Sequence, residues 1–413
     1  MSYRFVFLAL ILVSMAGCEH HGDSAPASLK PETVLASCQK AVADKDTKTA
    51  ASECQFAEQW LARVQPDSLP LAEAQEQLAD FMTLVNANAA ANGYYQQALT
   101  LLEKRADNPV AVARLQLKLA NNLSGLGKWA PAEIAYKNAL RQIETRKGGA
   151  ESPEAAEVLN RLGVVQLQQQ LLADAEQSLR RALTIREAKY TATDTTLAET
   201  YNNLGFMYQA MGKNQDAESF YRKAMLNQES AQNIPYPALY DSLSNLAMLL
   251  QTEGKLQAAE PYWQKQLQVA DKGFGKESVQ YSNSLNSLAL LAMAVRNFAA
   301  AEKLFNEALA IREKILGVNH IQTAEAANNL AVALANQGKR AQAEPLMRHA
   351  AAVTQVALGA NNPLTQQRWN SLLNLEGGVA KNPVPAVKPV DGQAPEAKPE
   401  AQKTPDSRKT HKK

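Results

Sequence analysis

The sequence predicts an all-α fold, a solenoid of stacked helix–turn–helix units. Three observations carry that expectation. The stretch Thr323–Leu364 repeats, in degenerate form, the stretch Tyr281–Gln322 that lies 42 residues upstream. Self-similarity at a fixed period of roughly 20–50 residues marks a stacked repeat array. An Ala-Glu dipeptide recurs at Ala175-Glu176, Ala217-Glu218, Ala259-Glu260, Ala301-Glu302 and Ala343-Glu344, each step being 42 residues. Finally, Ala, Leu and Gln dominate, and these are helix formers; runs rich in Val, Ile and Thr are few.

The dipeptide sets a register for residues 71–376. Ala132-Glu133 continues it upstream, and a weaker copy has Ala91 at the equivalent site. Seven units start near Leu71, Val112, Ala155, Leu197, Leu239, Tyr281 and Thr323, and a partial unit follows at 365–378. A leucine column runs through Leu78, Leu119, Leu162, Leu204, Leu246, Leu288, Leu330 and Leu372. The next residue is small: Ala79, Ala120, Gly163, Gly205, Ala247, Ala289 and Ala331. Later in each unit stands a large residue: Tyr95, Tyr136, Leu179, Tyr221, Trp263, Phe305 or Met347. Small residues let two helices approach, and the large ones fill the space between neighbouring pairs. Gly127, Gly212, Gly254 and Gly338 stand where the first helix of a unit should end in a left-handed residue. One column residue breaks pattern, Gln266 in a row of alanines, and it predicts looser packing at that junction.

Ahead of the array, residues 31–70 predict a helical hairpin. Pro31 can open a helix, DKDTK at 44–48 breaks the apolar spacing, and Ala50, Cys54, Ala57 and Leu61 resume it. Cys38 and Cys54 each lie eight residues from Asp46 at the centre of the turn. Equal distances from a turn place two residues level on facing helices, within reach of a disulfide. The alternative is two small buried thiols.

The first 17 residues have the layout of a signal peptide. Arg4 precedes an apolar run, Phe5 to Val13, which is too short to span a bilayer comfortably. Met15-Ala16-Gly17-Cys18 resembles the bacterial lipobox, with Met in place of the usual Leu. That resemblance implies cleavage before Cys18 and acylation of its thiol and new amine. Asp is absent at the next position, where Glu19 stands, which favours sorting to the outer membrane. Residues 18–30 then form a lipidated tether; His20 and His21 have no third ligand nearby and read as solvated spacer.

The columns of residues 71–376 resemble the tetratricopeptide repeat, in the 42-residue form of kinesin light chains. The loop of that form survives as Leu316-Gly317-Val318-Asn319-His320 and as Leu358-Gly359-Ala360-Asn361-Asn362-Pro363, each with a departure. The resemblance implies a right-handed superhelix whose concave face is lined by the first, or A, helix of each unit. It also implies peptide binding by asparagines just before the leucine column. Here these are Asn160, Asn202, Asn203, Asn245, Asn286, Asn328 and Asn329. A carboxamide both donates and accepts, as a peptide backbone does. Alternatively, some of them cap turns or bond between neighbouring helices. Beside them lie Phe206, Met248, Leu290, Met293 and Val332, while Glu157, Glu199, Asp241 and Glu325 stand near the A-helix starts. A neutral-to-basic partner fits this set.

Charge is nearly balanced, 43 Lys+Arg against 41 Asp+Glu, which argues against a nucleic-acid surface. No phosphate loop, metal motif or nucleophile constellation is present, so the expectation is a non-enzyme with no cofactor and no metal. Residues 377–413 are rich in Pro, Ala and Lys and read as a disordered tail. The expected function is a lipid-anchored outer-membrane scaffold facing the periplasm. It would bind protein or peptide partners in its groove, in envelope or appendage assembly. The alternative is an adaptor that grips peptidoglycan through the basic tail.

Overall fold

The computed structural model describes residues 30–105 and 108–377, and everything described is helix, turn or loop. Cys18, the tether histidines and the tail from residue 378 lie outside the described residues. Seventeen α-helices follow one another among the described residues. The N-terminal hairpin is α1 (Pro31–Ala43) and α2 (Thr47–Val64). Seven pairs follow: α3 (Leu69–Leu84) with α4 (Asn88–Arg105), α5 (Pro109–Gly125) with α6 (Trp129–Glu144), and α7 (Pro153–Gln168) with α8 (Leu172–Lys189). Next come α9 (Thr196–Ala210) with α10 (Asn214–Glu229), and α11 (Tyr236–Thr252) with α12 (Leu256–Phe274). Last are α13 (Val279–Ala294) with α14 (Phe298–Leu316), α15 (Ile321–Asn336) with α16 (Arg340–Leu358), and the single helix α17 (Pro363–Leu375). The chain divides into two compact units, Met1–Val269 and Ala270–Lys413.

Local chemistry explains where the helices begin. Proline occupies the first turn of α1, α3, α5, α7 and α17, where no intrahelical N–H bond is lost. Asp46, Ser68, Asn108, Ser152, Ser278, Asn297 and Asn362 cap their helices by accepting a backbone N–H. His320 does the same for α15, its Nδ1 accepting from Gln322 N at 3.3 Å.

Each A helix ends in a left-handed residue. Gly127, Gly212, Gly254 and Gly338 have φ between 68° and 76°, as the sequence predicts. In the other three pairs Asn86, Gln170 and Arg296 hold the same conformation at φ of 60–61°. The hydrogen bonds are alike in both cases. Lys128 N reaches Leu123 O at 2.9 Å, and Leu171 N reaches Gln166 O at 2.9 Å. The turn is therefore imposed by the register of the pair, and a non-glycine residue bears its cost.

Side-chain packing follows the columns. The large residues Tyr95, Tyr136, Leu179, Tyr221, Trp263, Phe305 and Met347 are all buried. They press on the small column. A Cβ at Gly163 would stand 2.6 Å from Leu179 Cγ, and one at Gly205 would stand 2.6 Å from the Tyr221 ring. Gln266 is buried, its amide donating to Ser244 on α11 while its carbonyl oxygen has no partner among the described residues. In three pairs the glutamate of the recurring dipeptide ties the pair to the turn of the next. Gln169 donates to Glu133 at 2.8 Å, Lys255 to Glu218 at 3.4 Å, and Lys339 to Glu302 at 2.6 Å. The Lys339 and Gln337 bonds hold the Glu302 carboxyl below the ordinary carboxylate range.

In the hairpin, α1 and α2 pack on each other and on α3 around Leu35, Cys38, Ala57, Leu61 and Leu78. Cys38 and Cys54 form the expected disulfide, with Cα atoms 4.6 Å apart.

Candidate functional site

The A helices expose a face ordered in rows. An acid at position i, an amide at i+3 and an apolar residue at i+7 share one side of a helix. In the first unit the acids are Glu157, Glu199 and Asp241. Three residues on stand Asn160, which is buried, Asn202 and, on α11, Ser244 with Asn245 beside it; Val164, Phe206 and Met248 follow. Phe206 is 52% exposed and Met248 49%, so neither is filled by the protein's own core. In the second unit α15 repeats the order with Glu325, Asn328 and Val332, while α13 carries Leu290, 42% exposed.

The predicted asparagines divide into two groups. Asn203 donates to Asn160 Oδ1 at 3.1 Å, joining α9 to α7. Asn329 donates to Asn286 Oδ1 at 2.9 Å, joining α15 to α13. Asn202 donates to Ser242 on α11 at 2.7 Å, and its own carbonyl oxygen is buried without a partner. Asn245 and Asn328 are half-buried and make no side-chain hydrogen bond among the described residues. The bridging pairs stand 43 residues apart, two before the leucine column in one unit and one before it in the next. Glu76 and Lys118 occupy those same two positions on α3 and α5, and form an ion pair at 2.7 Å. The site is thus a bridge between consecutive A helices, met by amides or by opposite charges. The sequence leaves open both peptide contact and bonding between neighbouring helices, and for these two pairs the structure shows the bond between helices.

Bridging uses one hydrogen-bonding group of each amide. Asn203 and Asn329 each keep a carbonyl oxygen with no protein partner among the described residues. Asn328 and Asn329 also line a cleft of about 430 Å³ between α15 and α17, with Glu325, Gln367, Arg368 and Ser371. Missed by the sequence reading were three buried arginines, Arg186, Arg312 and Arg368, each at a junction between pairs. No group of His, Cys, Asp and Glu among the described residues is arranged to hold a metal ion. No described helix is long and apolar enough to cross a membrane.

Comparison with known proteins accords with this architecture. One tetratricopeptide-repeat family model matches residues 111–188, 238–314 and 281–355, and a second matches 197–226. Together they cover more than half of the chain. No curated protein sequence matches it. Among solved structures, a tetratricopeptide repeat protein from Parabacteroides merdae is 16% identical, with a TM-score of 0.50 over 74% of this chain and 98% of that one. The signal-transduction ATPase with a tetratricopeptide repeat sensor from Pyrococcus horikoshii is 15% identical, with a TM-score of 0.55 over 79% of this chain and 49% of that one. A kinesin-light-chain-like repeat protein from Podosopora anserina is 19% identical, with a TM-score of 0.45 over 50% of this chain and 97% of that one. Repeats of this class generally serve as non-catalytic scaffolds for protein partners. With its paired helices, its small and large columns and the family matches in register, the chain belongs to the tetratricopeptide-repeat family.

Proposed function

We propose that this protein is a membrane-anchored periplasmic adaptor that holds an extended segment of a partner protein on its A-helix face. One observation carries the reading. Acid and apolar positions recur on α7, α9, α11 and α15, the amides Asn202, Asn245 and Asn328 lie between them on the last three, and the apolar residues Phe206, Met248 and Leu290 are left open. Amides match a peptide backbone, the apolar row offers anchor points, and the acids favour a neutral-to-basic ligand. Envelope or appendage assembly is the setting that the lipobox-like Met15-Ala16-Gly17-Cys18 favours.

Crosslinking pull-down tests the face. Asn245→Ala with Asn328→Ala removes two amides that make no internal bond, so capture should fall about tenfold with an unchanged melting temperature. Asn286→Ala with Asn329→Ala breaks a bridge and should lower stability as well. Equal capture by wild type and the Asn245/Asn328 variant would remove the amide rows from the proposal. The anchor is tested separately. Cys18→Ser should abolish metabolic labelling with a radioactive fatty acid, and labelling that persists rules the lipid out.

A further inference from the structure

The last pair departs from the one before it at the ends of its second helix. In the sixth pair, Lys314 near the end of α14 forms an ion pair with Glu277, in the loop before α13, and Lys276 is the neighbour of that glutamate. All three line a cleft of about 290 Å³ with Tyr281, Ile311 and Ile315. In the seventh pair, 42 residues on, the positions of Lys276, Glu277 and Lys314 hold Val318, Asn319 and Val356. The register is secure, because Gly275, Gly317 and Gly359 mark the same turn with φ of 83–88°. Two valines thus stand where the preceding pair has charged groups.

Both valines are open, Val318 at 51% exposure and Val356 at 66%. His349 Nε2 donates to Val318 O at 3.0 Å, which holds the loop of Val318 against α16. His349, Ala352 and Val356 share one side of α16. Ile315, three residues before Val318, is exposed as well. A terminal repeat ordinarily presents a more polar outer face than the repeats inside, because no neighbour covers it. Here the last pair is the more apolar, and the described residues leave the strip uncovered.

The chain itself holds a segment that fits. Helix α17 ends at Leu375, and Arg348 on α16 pairs with Glu376. The chain therefore leaves α17 level with Arg348, about 12 Å along α16 from Val356. Asn382–Val390 reads NPVPAVKPV, with valines at 384, 387 and 390. A polyproline II helix has about three residues per turn, so the three valines would form one edge of it. At about 3.1 Å per residue such a helix carries Val384 up to about 22 Å from Gly377, far enough to reach Val356. Prolines preset that extended form and reduce the entropy lost on docking.

We infer that Asn382–Val390 docks in cis on the strip formed by α14, its following loop and α16, with its valine edge on Val318, Ala352 and Val356. Nine residues of a tail that composition alone reads as disordered thereby cover the end of the array. The inference does not rest on the reading of the A-helix face, because the strip belongs to the second helices and their loop.

Trypsin cleavage of the full chain, followed by mass spectrometry, tests it. The Lys381–Asn382 bond borders the docked segment and Lys403–Thr404 lies beyond it, while Lys388 and Lys398 precede prolines and resist the enzyme. Cleavage after Lys381 should be about tenfold slower in wild type than in Val356→Lys, with cleavage after Lys403 equal in both. Val356→Lys places the residue of the sixth pair at an exposed site, so Tm should not change. Val387→Asp should speed cleavage after Lys381 as much, and Ala397→Asp, beyond the segment, should leave it slow. The protection should be equal at about 1 μM and about 50 μM protein, because a tethered segment has an effective concentration set by its linker. Protection lost on dilution would place the segment on a second copy and overturn docking in cis. Equal cleavage after Lys381 in wild type, Val356→Lys and Val387→Asp overturns the docking itself.

Discussion

Trp263→Ala is expected to lower stability by about 3–5 kcal/mol, the range for emptying a large aromatic site in a packed core. Trp263 is 1% exposed and fills the large column of the fifth pair, between α11 and α12. Its indole N–H donates to Gln251 Oε1 at 3.0 Å. Tyr221 does the same one pair earlier, its hydroxyl donating to Gln209 Oε1 at 2.9 Å. The glutamine near the end of the A helix thus satisfies the polar edge of the large residue. Alanine loses both the buried area and that bond. Trp263→Phe keeps most of the area and should cost about 1–2 kcal/mol. In a repeat array each pair contacts its neighbours, so the loss should spread only one pair to either side. Urea melts followed by circular dichroism give the magnitude, and hydrogen exchange across residues 239–269 gives its reach. A loss under about 1 kcal/mol would mean that the large column is not core.

Opening the Cys38–Cys54 bridge should cost the N-terminal hairpin about 3 kcal/mol, the value for a loop of this length. The bridge matters because the buried core of α1 and α2 is small, with Val42, Ala51 and Trp60 only partly buried against it. Their core is Val34, Leu35, Ala41, Ala50, Ala57 and Leu61 against one face of α3. Four of those six are small or β-branched, so the apolar area per residue is modest. Cys38→Ala with Cys54→Ala tests the bridge without placing a hydroxyl where both positions are fully buried. Hydrogen exchange and limited proteolysis at residues 31–64 should show the hairpin opening while the pairs after α3 keep their protection. Equal protection in wild type with and without reductant would mean that the bridge contributes nothing.

Much of this fold is legible in the chain. A period of 42 residues places the pairs, the small and large columns state which faces meet, and equal spacing about Asp46 finds the disulfide. Periodicity succeeds there because helix geometry alone decides which side of a helix a residue occupies. It also found the exposed rows of the A helices. What periodicity does not contain is the distance between one helix and the next. Asn160 and Asn203 occupy the face that the sequence assigns to a ligand, yet they bond to each other, because consecutive A helices lie close enough for two amides to meet. Gln170 and Arg296 hold a left-handed turn that residue preference assigns to glycine, because the pair closes around them. The Arg368–Thr354 pair is two ordinary letters in the sequence. Only when α17 is laid against α16 does the guanidinium become a buried donor to the threonine hydroxyl, since hydrogen bonding depends on inter-helix distance and period does not encode it.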